Sequence, residues 1–279
     1  MKIISQFAAF LLLAICATFV LASCSDDDDK DKPKSSSLDG VYYYQLTDGT
    51  QKSLYFKGKT VIWASFNNKG VASQPEKGTY RVDGEKIYIT LEGSSGEFPH
   101  SFKKDGKTLY YDNHPYVKDD NYKEIKVDGP YGDSNGLFWL FFEKDYEWFG
   151  HNHFTIEGNI ITWSWQKDDL TGTQSELIRQ NDDQLTVGNM YYARKGNQPK
   201  KGTYQSTSET GSYAVVTFKD WHFTYASYFS TGQLIESQEG VAIVDGYKIH
   251  LFTASTSSSV SYVVEGNNIK IGGSVFTKK

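Results

Sequence analysis

Two histidines and a set of matched carboxylates are the side chains of this sequence whose types and spacing could do chemistry. His151 and His153 lie two residues apart, so on a β-strand they would share one face, where two imidazoles can bind zinc. A structural zinc site needs four ligands, and the only two cysteines, Cys16 and Cys24, lie far away in the chain. We therefore predict no metal site and no cofactor.

The matched carboxylates are Asp83, Glu157 and Asp245, and each stands directly before a glycine. A carboxylate at such a turn commonly accepts hydrogen bonds from its own backbone, which favours a structural role over a catalytic cluster. Residues 58–60 and 106–108 each read Gly-Lys-Thr, as at the end of a phosphate loop, but both lack the earlier glycine and the following helix. We predict that both are hairpin turns. Since serine, histidine and aspartate form no catalytic pattern, we predict that the protein is not an enzyme.

The N-terminal segment has the layout of a secretory signal. Residues 1–23 contain Lys2, an apolar run over residues 7–21 and small residues before Cys24, which is typical of a cleaved signal rather than a membrane span. Leu-Ala-Ser-Cys at residues 21–24 resembles the lipobox of bacterial lipoproteins. This resemblance implies cleavage before the cysteine and a lipid on its sulfur. The alternative is an ordinary signal with a chance cysteine.

A charged tether follows the predicted lipid anchor. Residues 24–37 are charged, contain serine and lack aromatic residues, so they cannot bury enough apolar surface to fold. A run directly after the cysteine resembles the acidic export signal of surface-exposed lipoproteins of the Bacteroidota, namely Ser25, Asp26, Asp27, Asp28 and Asp29. The resemblance implies a lipid-anchored protein of the outer membrane that is exposed on the cell surface. A solvated linker on the periplasmic leaflet is the alternative.

Beyond residue 38 the sequence repeats one unit three times. Residues 240–251 read Gly-Val-Ala-Ile-Val-Asp-Gly-Tyr-Lys-Ile-His-Leu; residues 78–89 repeat this pattern closely, and residues 154–163 repeat it more loosely. In each segment, apolar and polar residues alternate on both sides of an Asp-Gly or Glu-Gly pair, which is typical of a β-hairpin. The first residues of the three units also align with one another, and so do their last residues. We therefore predict three β repeats, at residues 38–120, 121–199 and 200–279.

The repeats carry no sustained 3.6-residue apolar period, which predicts an all-β fold. We expect about seven short strands in each repeat, closed into a small antiparallel barrel or sandwich that removes sticky strand edges. The pattern Gly-Thr-Tyr, Val-Asp-Gly and Lys-Ile is similar to that of short lipocalin-like domains in Bacteroidota lipoproteins, a resemblance that implies fold more than activity. Each repeat is shorter than a full lipocalin, which argues against a large internal ligand cavity. One continuous sheet shared among the repeats is the alternative.

Aromatic residues make up 15% of the sequence, and the middle repeat is rich in tryptophan. Trp163 aligns with Leu251 at an inward position, so Trp163 and Trp165 are predicted to be core residues. Trp148 falls near the position of Trp63 and is also expected in the core.

One strand of the middle repeat is apolar on both faces. The six residues ending at Phe142 read Leu-Phe-Trp-Leu-Phe-Phe. In a strand with one solvent-exposed face, apolar and polar residues should alternate. Alignment places Leu140 and Phe142 on the core face. Trp139 and Phe141 then lie on the outer face, the latter at the position of Tyr55. Because exposed apolar patches usually mark contacts, these three outer residues are the candidates for ligand binding or for an interface; coverage by a neighbouring repeat is the equal alternative.

Charge and composition limit the classes of partner. The formal net charge is −5 with no basic stripe, which argues against nucleic-acid binding. Saccharide faces stack on exposed aromatic rings, so the leading interpretation is a non-catalytic, surface-anchored binding module for glycan or another cell-surface ligand, accessory to outer-membrane uptake. The alternative is a structural or protein-interaction lipoprotein whose repeats act as a spacer or docking surface.

Overall fold

The computed structural model describes residues 38–167 and 170–279, and this part of the chain is all-β. The predicted signal, Cys24, Ser25 and the acidic run at residues 26–29 lie outside the described residues. Within the described ranges, no helix is long and apolar enough to cross a membrane.

Three closed antiparallel barrels follow one another along the chain. The first consists of β1 (Gly40–Gln45), β2 (Gln51–Lys57), β3 (Thr60–Phe66), β4 (Glu76–Asp83), β5 (Lys86–Leu91), β6 (Phe98–Asp105), β7 (Thr108–Tyr111) and β8 (His114–Lys118). Each strand pairs with the next in sequence. The barrel closes where β8 returns to β1, with Tyr42 opposite Lys118.

The second and third barrels repeat this meander. The second consists of β9 (Gly129–Gly132), β10 (Trp139–Glu143), β11 (Tyr146–Glu147), β12 (Asn152–Glu157), β13 (Ile160–Lys167), β14 (Leu170–Asn181), β15 (Gln184–Val187) and β16 (Met190–Arg194). The third consists of β17 (Gly202–Thr207), β18 (Tyr213–Lys219), β19 (His222–Tyr228), β20 (Leu234–Asp245), β21 (Lys248–Thr253), β22 (Ser257–Glu265), β23 (Asn268–Ile271) and β24 (Ser274–Lys278). Because each set closes on itself, the alternative of one shared sheet is wrong.

Each barrel has eight strands, one more than the sequence pattern indicated. The missed strand is the last of each repeat, which pairs with the first and closes the barrel. In the first barrel it follows a two-residue turn in which Asp112 and Asn113 have φ of 46° and 63°. Positive φ at both central residues gives a tight hairpin whose twist matches the flanking strands. A short Asp-Asn pair without glycine is a weak turn signal, so the sequence pattern predicts one strand where the structure has β7 and β8.

The repeated hairpin is confirmed in all three barrels. Gly84, Gly158 and Gly246 stand at the β4–β5, β12–β13 and β20–β21 corners with φ of 58°, 62° and 59°. The two Gly-Lys-Thr segments also lie at hairpin turns, between β2 and β3 and between β6 and β7.

Each barrel encloses its own apolar core. In the second barrel, Phe142 is fully buried among Tyr131, Phe154 and Trp163, so the predicted core face of β10 is confirmed. Fully burying one such side chain contributes roughly 1.5–3 kcal/mol. At one end of the first barrel, Lys118 lies over the ring of Tyr42, 5.8 Å from its centre. The opposite end, where β5 ends and β6 begins, opens to solvent through a cavity.

Candidate functional site

Trp139 and Phe141 lie between the second and third barrels. Both point away from the core of their own barrel, as predicted, and each is only 2% exposed. They pack in one cluster with Val241, Ile243 and Phe252 of the third barrel. The pair is therefore covered by a neighbouring repeat and does not form an exposed patch.

Tyr55 has the equivalent position in the first barrel and faces the second. Its side chain is 8% exposed and shares a cluster with Ile160 and Leu177. Its ring lies directly over Gly158. All three residues singled out on outer strand faces thus belong to contacts between barrels.

The other tryptophans of the middle repeat divide between core and surface. Trp163 lies in the barrel core, as expected. Trp165 is 38% exposed at the barrel end, so its core prediction is wrong. Trp148 is also not a barrel-core residue: it packs against the contact with the third barrel, and its indole N–H donates to Glu143 over 3.1 Å. Phe142 pairs with Glu147, whereas the equivalent Phe56 of the first barrel pairs with Val61, so Trp148 corresponds to Ile62 and not to Trp63. A shift of one residue along a strand turns a side chain to the other face.

The matched carboxylates do not converge. Glu157 pairs with Lys77 of the first barrel over 2.5 Å, and Asp245 pairs with Lys195 over 3.4 Å. Both ion pairs cross a contact between barrels, whereas a role within their own turns was expected. Asp83 lies 3.9 Å from Arg81 on its own strand.

The two histidines of β12 and the turn before it contact different groups. His151 Nδ1 lies 3.3 Å from the hydroxyl of Tyr146, and His153 Nδ1 lies 3.7 Å from a carboxylate oxygen of Asp145. Among residues 38–167 and 170–279, no three His, Cys, Asp or Glu side chains are grouped so that they could hold a metal ion.

The open end of the first barrel, here called the first mouth, is the best candidate site. It encloses a cavity of about 420 Å³, within the range of small-molecule sites. Inward-facing residues near the strand ends line it: Lys52, Val61, Trp63, Glu76, Ile89, Leu91, Phe98, His100, Tyr111, Asp112, His114 and Tyr116. The site is positioned by strands β2 to β8, so the closed barrel fixes the directions in which these side chains point.

Aromatic rings form the wall of the first mouth. His100 stacks on Tyr111 with ring centres 4.7 Å apart, and Tyr44 stacks on His114 with centres 5.0 Å apart. Phe98 at the rim is 47% exposed. Flat rings held by neighbours offer apolar faces to a ligand with little loss of side-chain entropy on binding.

Polar groups stand among these rings. Asp112 accepts a hydrogen bond from the backbone N–H of Ser101 over 3.1 Å, and its other carboxylate oxygen lies 2.7 Å from Nδ1 of His100. Burial raises the pKa of the Tyr111 phenol well above its usual value, and the nearby Asp112 charge adds to the shift. Burial also raises the pKa of Tyr116, partly offset by a hydrogen bond from Trp63. Both phenols are therefore neutral hydroxyls near pH 7, able to donate and accept hydrogen bonds.

Sequence reasoning missed the residues of the first mouth because they are spread over seven strands. The available signal was the difference among repeats at matched inward positions. His100 pairs with Ile87 in the first barrel. The residues at the position of His100 in the second and third barrels are Glu176 and Val260. A histidine at a position that is apolar in another repeat marks a departure from core packing.

Comparisons with known proteins add little to this geometry. No family model matches the sequence, and no curated protein matches it. Among solved structures, the DNA polymerase III subunit beta from Pseudomonas aeruginosa is 6% identical with a TM-score of 0.14, over 89% of this chain and 93% of that chain. The beta clamp of Helicobacter pylori is 7% identical with a TM-score of 0.13, over 89% and 93%. The beta chain from Streptococcus pneumoniae is 8% identical with a TM-score of 0.14, over 85% and 90%. Scores this low do not indicate a shared fold.

Proposed function

We propose that this chain is a non-catalytic, surface-anchored lipoprotein whose first barrel binds glycan through its open end. A lipid on Cys24 holds the protein in the outer membrane, and the acidic run at residues 26–29 directs it to the cell surface. The lipobox-like and export-signal-like segments support this localisation. Displayed there, the protein serves as an accessory to an outer-membrane uptake system.

The observation that carries the proposal is the mixture of ring faces and hydrogen-bonding groups in the first mouth. A sugar ring presents C–H groups on its faces and hydroxyls around its edge. The rings of His100, Tyr111 and His114 line the cavity and offer surfaces for the faces. Stacking on Tyr44 holds the His114 ring in place. Asp112 and the neutral phenol of the partly exposed Tyr111 offer partners for the hydroxyls, as in sites where a few polar groups orient a ligand in an apolar cavity.

The charges of the first mouth favour a neutral glycan. The lining contains Lys52 and the carboxylates of Glu76 and Asp112, so it presents both signs of charge. The protein as a whole has a formal net charge of −5. A polyanion such as a nucleic acid would be repelled by this field, whereas an uncharged saccharide is not affected.

A spacer or docking function is the second candidate, and the contacts between barrels favour it. Each contact buries an apolar cluster, around Tyr55 in one case and around Trp139 in the other. Ion pairs cross both contacts, Lys77 to Glu157 and Lys195 to Asp245. Such contacts hold neighbouring barrels together and would suit a protein that separates or presents other molecules.

Native affinity gels distinguish the two functions. Soluble neutral polysaccharides such as dextran, xylan and mixed-linkage β-glucan are cast into the gels, and migration of residues 38–279 is compared with that of two variants. We expect at least one polysaccharide to retard the wild type and His153→Ala, and to retard His114→Ala much less. His114 lines the first mouth, whereas His153 is an exposed histidine outside it. Equal migration of all three proteins, together with a protein partner recovered by crosslinking on cells, would instead support the spacer or docking function.

A further inference from the structure

We propose that the open ends of the first and second barrels form one binding surface, which takes two separated units of a single polysaccharide chain. This inference rests on the proposed glycan-binding function and extends it from one saccharide unit to a polymer. Three observations carry it: a second lined cavity, an exposed tryptophan within that cavity, and a loop that joins the two barrel ends.

The second cavity lies at the end of the second barrel that matches the first mouth. It has a volume of about 310 Å³ and is here called the second mouth. Its lining includes Trp163, Trp165, Gln174, Glu176, Met190 and Tyr192. Ladder pairing places Tyr192 opposite Leu185, as Tyr116 lies opposite Leu109 in the first barrel. The two mouths therefore open at equivalent ends of equivalent barrels.

Trp165 gives the second mouth a ring surface for stacking. Its side chain is 38% exposed, and a Cβ added to the paired Gly172 would stand 2.4 Å from the indole ring. One part of the ring thus rests against the bare backbone of Gly172, while the ring also lines the cavity. A tryptophan supported in this way presents a fixed apolar surface, which is the feature that stacked saccharide rings require.

Polar groups of the second mouth are held in place around this ring. Glu176 accepts a hydrogen bond from the indole N–H of Trp163 over 2.7 Å and one from the amide of Gln174 over 3.2 Å. Glu147, which is 2% exposed, accepts backbone N–H bonds from Phe149 and Gly150, each over 2.7 Å. Glu147 also accepts from the N–H of Phe141, so it fixes the local backbone and does not face a ligand. Glu176 is therefore the oriented polar group that the second mouth combines with its ring surface.

The loop at residues 67–75, between β3 and β4, joins the rims of the two mouths. The backbone N–H of Ala72 donates to the carbonyl of Ser175 over 2.9 Å, and the N–H of Leu177 donates to the carbonyl of Gly70 over 2.8 Å. Val71 thereby pairs with Glu176 as in a sheet. The loop leaves the first mouth and lies along the strand that lines the second.

This connection limits the distance between the mouths. Glu76 lines the first mouth and stands five residues from Val71, a span of at most about 18 Å for an extended chain. Val71 pairs with Glu176 of the second mouth, and paired residues lie about 5 Å apart. The Cα atoms of Glu76 and Glu176 are therefore within about 23 Å of each other, a distance that a short oligosaccharide can span.

Two linked subsites should act through avidity. Once one unit of a polymer is bound in the first mouth, the next units are held near the second, and linked binding of this kind raises affinity by about 10²–10⁴ over a single site. A disaccharide has no such advantage, so it should bind each mouth independently and weakly.

Calorimetric titration of residues 38–279 tests the inference. The probes are the polysaccharide that retards the protein most in gels and the disaccharide that forms its repeat. The variants are His114→Ala in the first mouth, Trp165→Ala in the second, and Tyr191→Ala as a control, since Tyr191 is 77% exposed and absent from the lining of either mouth. Met190→Glu, at a 38% exposed position in the second mouth, replaces Trp165→Ala if that variant does not fold.

We expect two disaccharides per wild-type chain and one per chain for each mouth variant. Each mouth variant should also lose at least about tenfold in affinity for the polysaccharide, while Tyr191→Ala behaves as wild type. If the second-mouth variant keeps wild-type affinity and His114→Ala does not, the inference is wrong and the proposed function stands. If neither variant changes binding, or the wild type binds no polysaccharide, both are wrong.

Discussion

The ring of Tyr55 in the first barrel lies over Gly158 in the second, so closely that a Cβ at residue 158 would stand 2.4 Å from the ring. Gly158 has a φ of 62°, which the hairpin turn needs and which L side chains rarely adopt. One glycine therefore serves two purposes: it forms the turn of its own barrel and leaves room for an aromatic side chain of the neighbouring barrel.

Replacing this glycine should cost more than replacing its counterparts. Gly84→Ala and Gly246→Ala meet no atom within 4 Å, so strain alone should lower the free energy of unfolding by about 1 kcal/mol. Gly158→Ala adds a collision with Tyr55, which should raise the loss to about 2–4 kcal/mol. Urea unfolding of the three variants measures the difference. Equal losses at all three positions would show that Tyr55 does not pack on this turn.

Trp139→Ala should destabilise the protein without reducing glycan binding. The side chain is 2% exposed between the second and third barrels, and emptying such a site costs about 3–5 kcal/mol. Trp221→Ala, on the other side of the same cluster at a partly buried position, should cost less. Thermal unfolding measures stability, and affinity gels measure binding. Loss of polysaccharide binding with an unchanged melting temperature would place a ligand site at Trp139.

Strand periodicity was enough to predict the barrels but not their contacts. The alternation of β10 correctly turned Trp139 and Phe141 away from the core, because side-chain direction is a local property of a strand. What covers that outer face depends on how barrels pack, which a single strand does not encode. The predicted core position of Trp148 is wrong because β11 has only two residues, too few for a sequence pattern to show which residues face the core. The first mouth was missed because its members meet only after the barrel has closed.

His250 should make the contact between the second and third barrels sensitive to pH. It lies against Trp139 with ring centres 4.7 Å apart, and burial lowers its pKa below the usual 6.5; Asp245 opposes this shift, while Lys248 and Lys195 add to it. Because the pKa of His250 is lower in the folded protein than in the unfolded chain, the unfolded chain binds the proton more readily. Its contribution to stability is therefore complete above about pH 6.5 and is lost as the pH falls through the folded pKa.

The comparison is between the wild type and His250→Phe, which keeps a ring beside Trp139 but does not titrate. The wild type should lose more unfolding free energy than the variant between pH 8 and pH 5.5. Urea unfolding at both values gives the two differences. Parallel losses in the two proteins would show that His250 is not the group responsible.

Cys24→Ala should abolish membrane attachment, because the lipid on this cysteine is the proposed anchor. Labelled palmitate should enter the wild type and not the variant. Replacing Asp26 to Asp29 with alanine is the matched change in the neighbouring segment, and it should keep the label but remove surface exposure, as judged by protease shaving of intact cells. Recovery of processed Cys24→Ala in the membrane pellet after a high-salt wash would contradict the anchor. If protease cleaves the alanine-run variant on intact cells as readily as the wild type, the acidic run is only a linker and not an export signal.

Photolabelling tests the central claim, glycan binding in the first mouth, most directly. The polysaccharide that retards the protein most is cut to oligosaccharides, fitted with a diazirine and irradiated with residues 38–279, and the labelled peptides are identified by mass spectrometry. We predict labels on the segments that line the first mouth, above all at Phe98, Tyr111 and His114, with excess unmodified polysaccharide suppressing them. Labels confined to outer strand faces, or labels that the competitor does not suppress, would contradict the account.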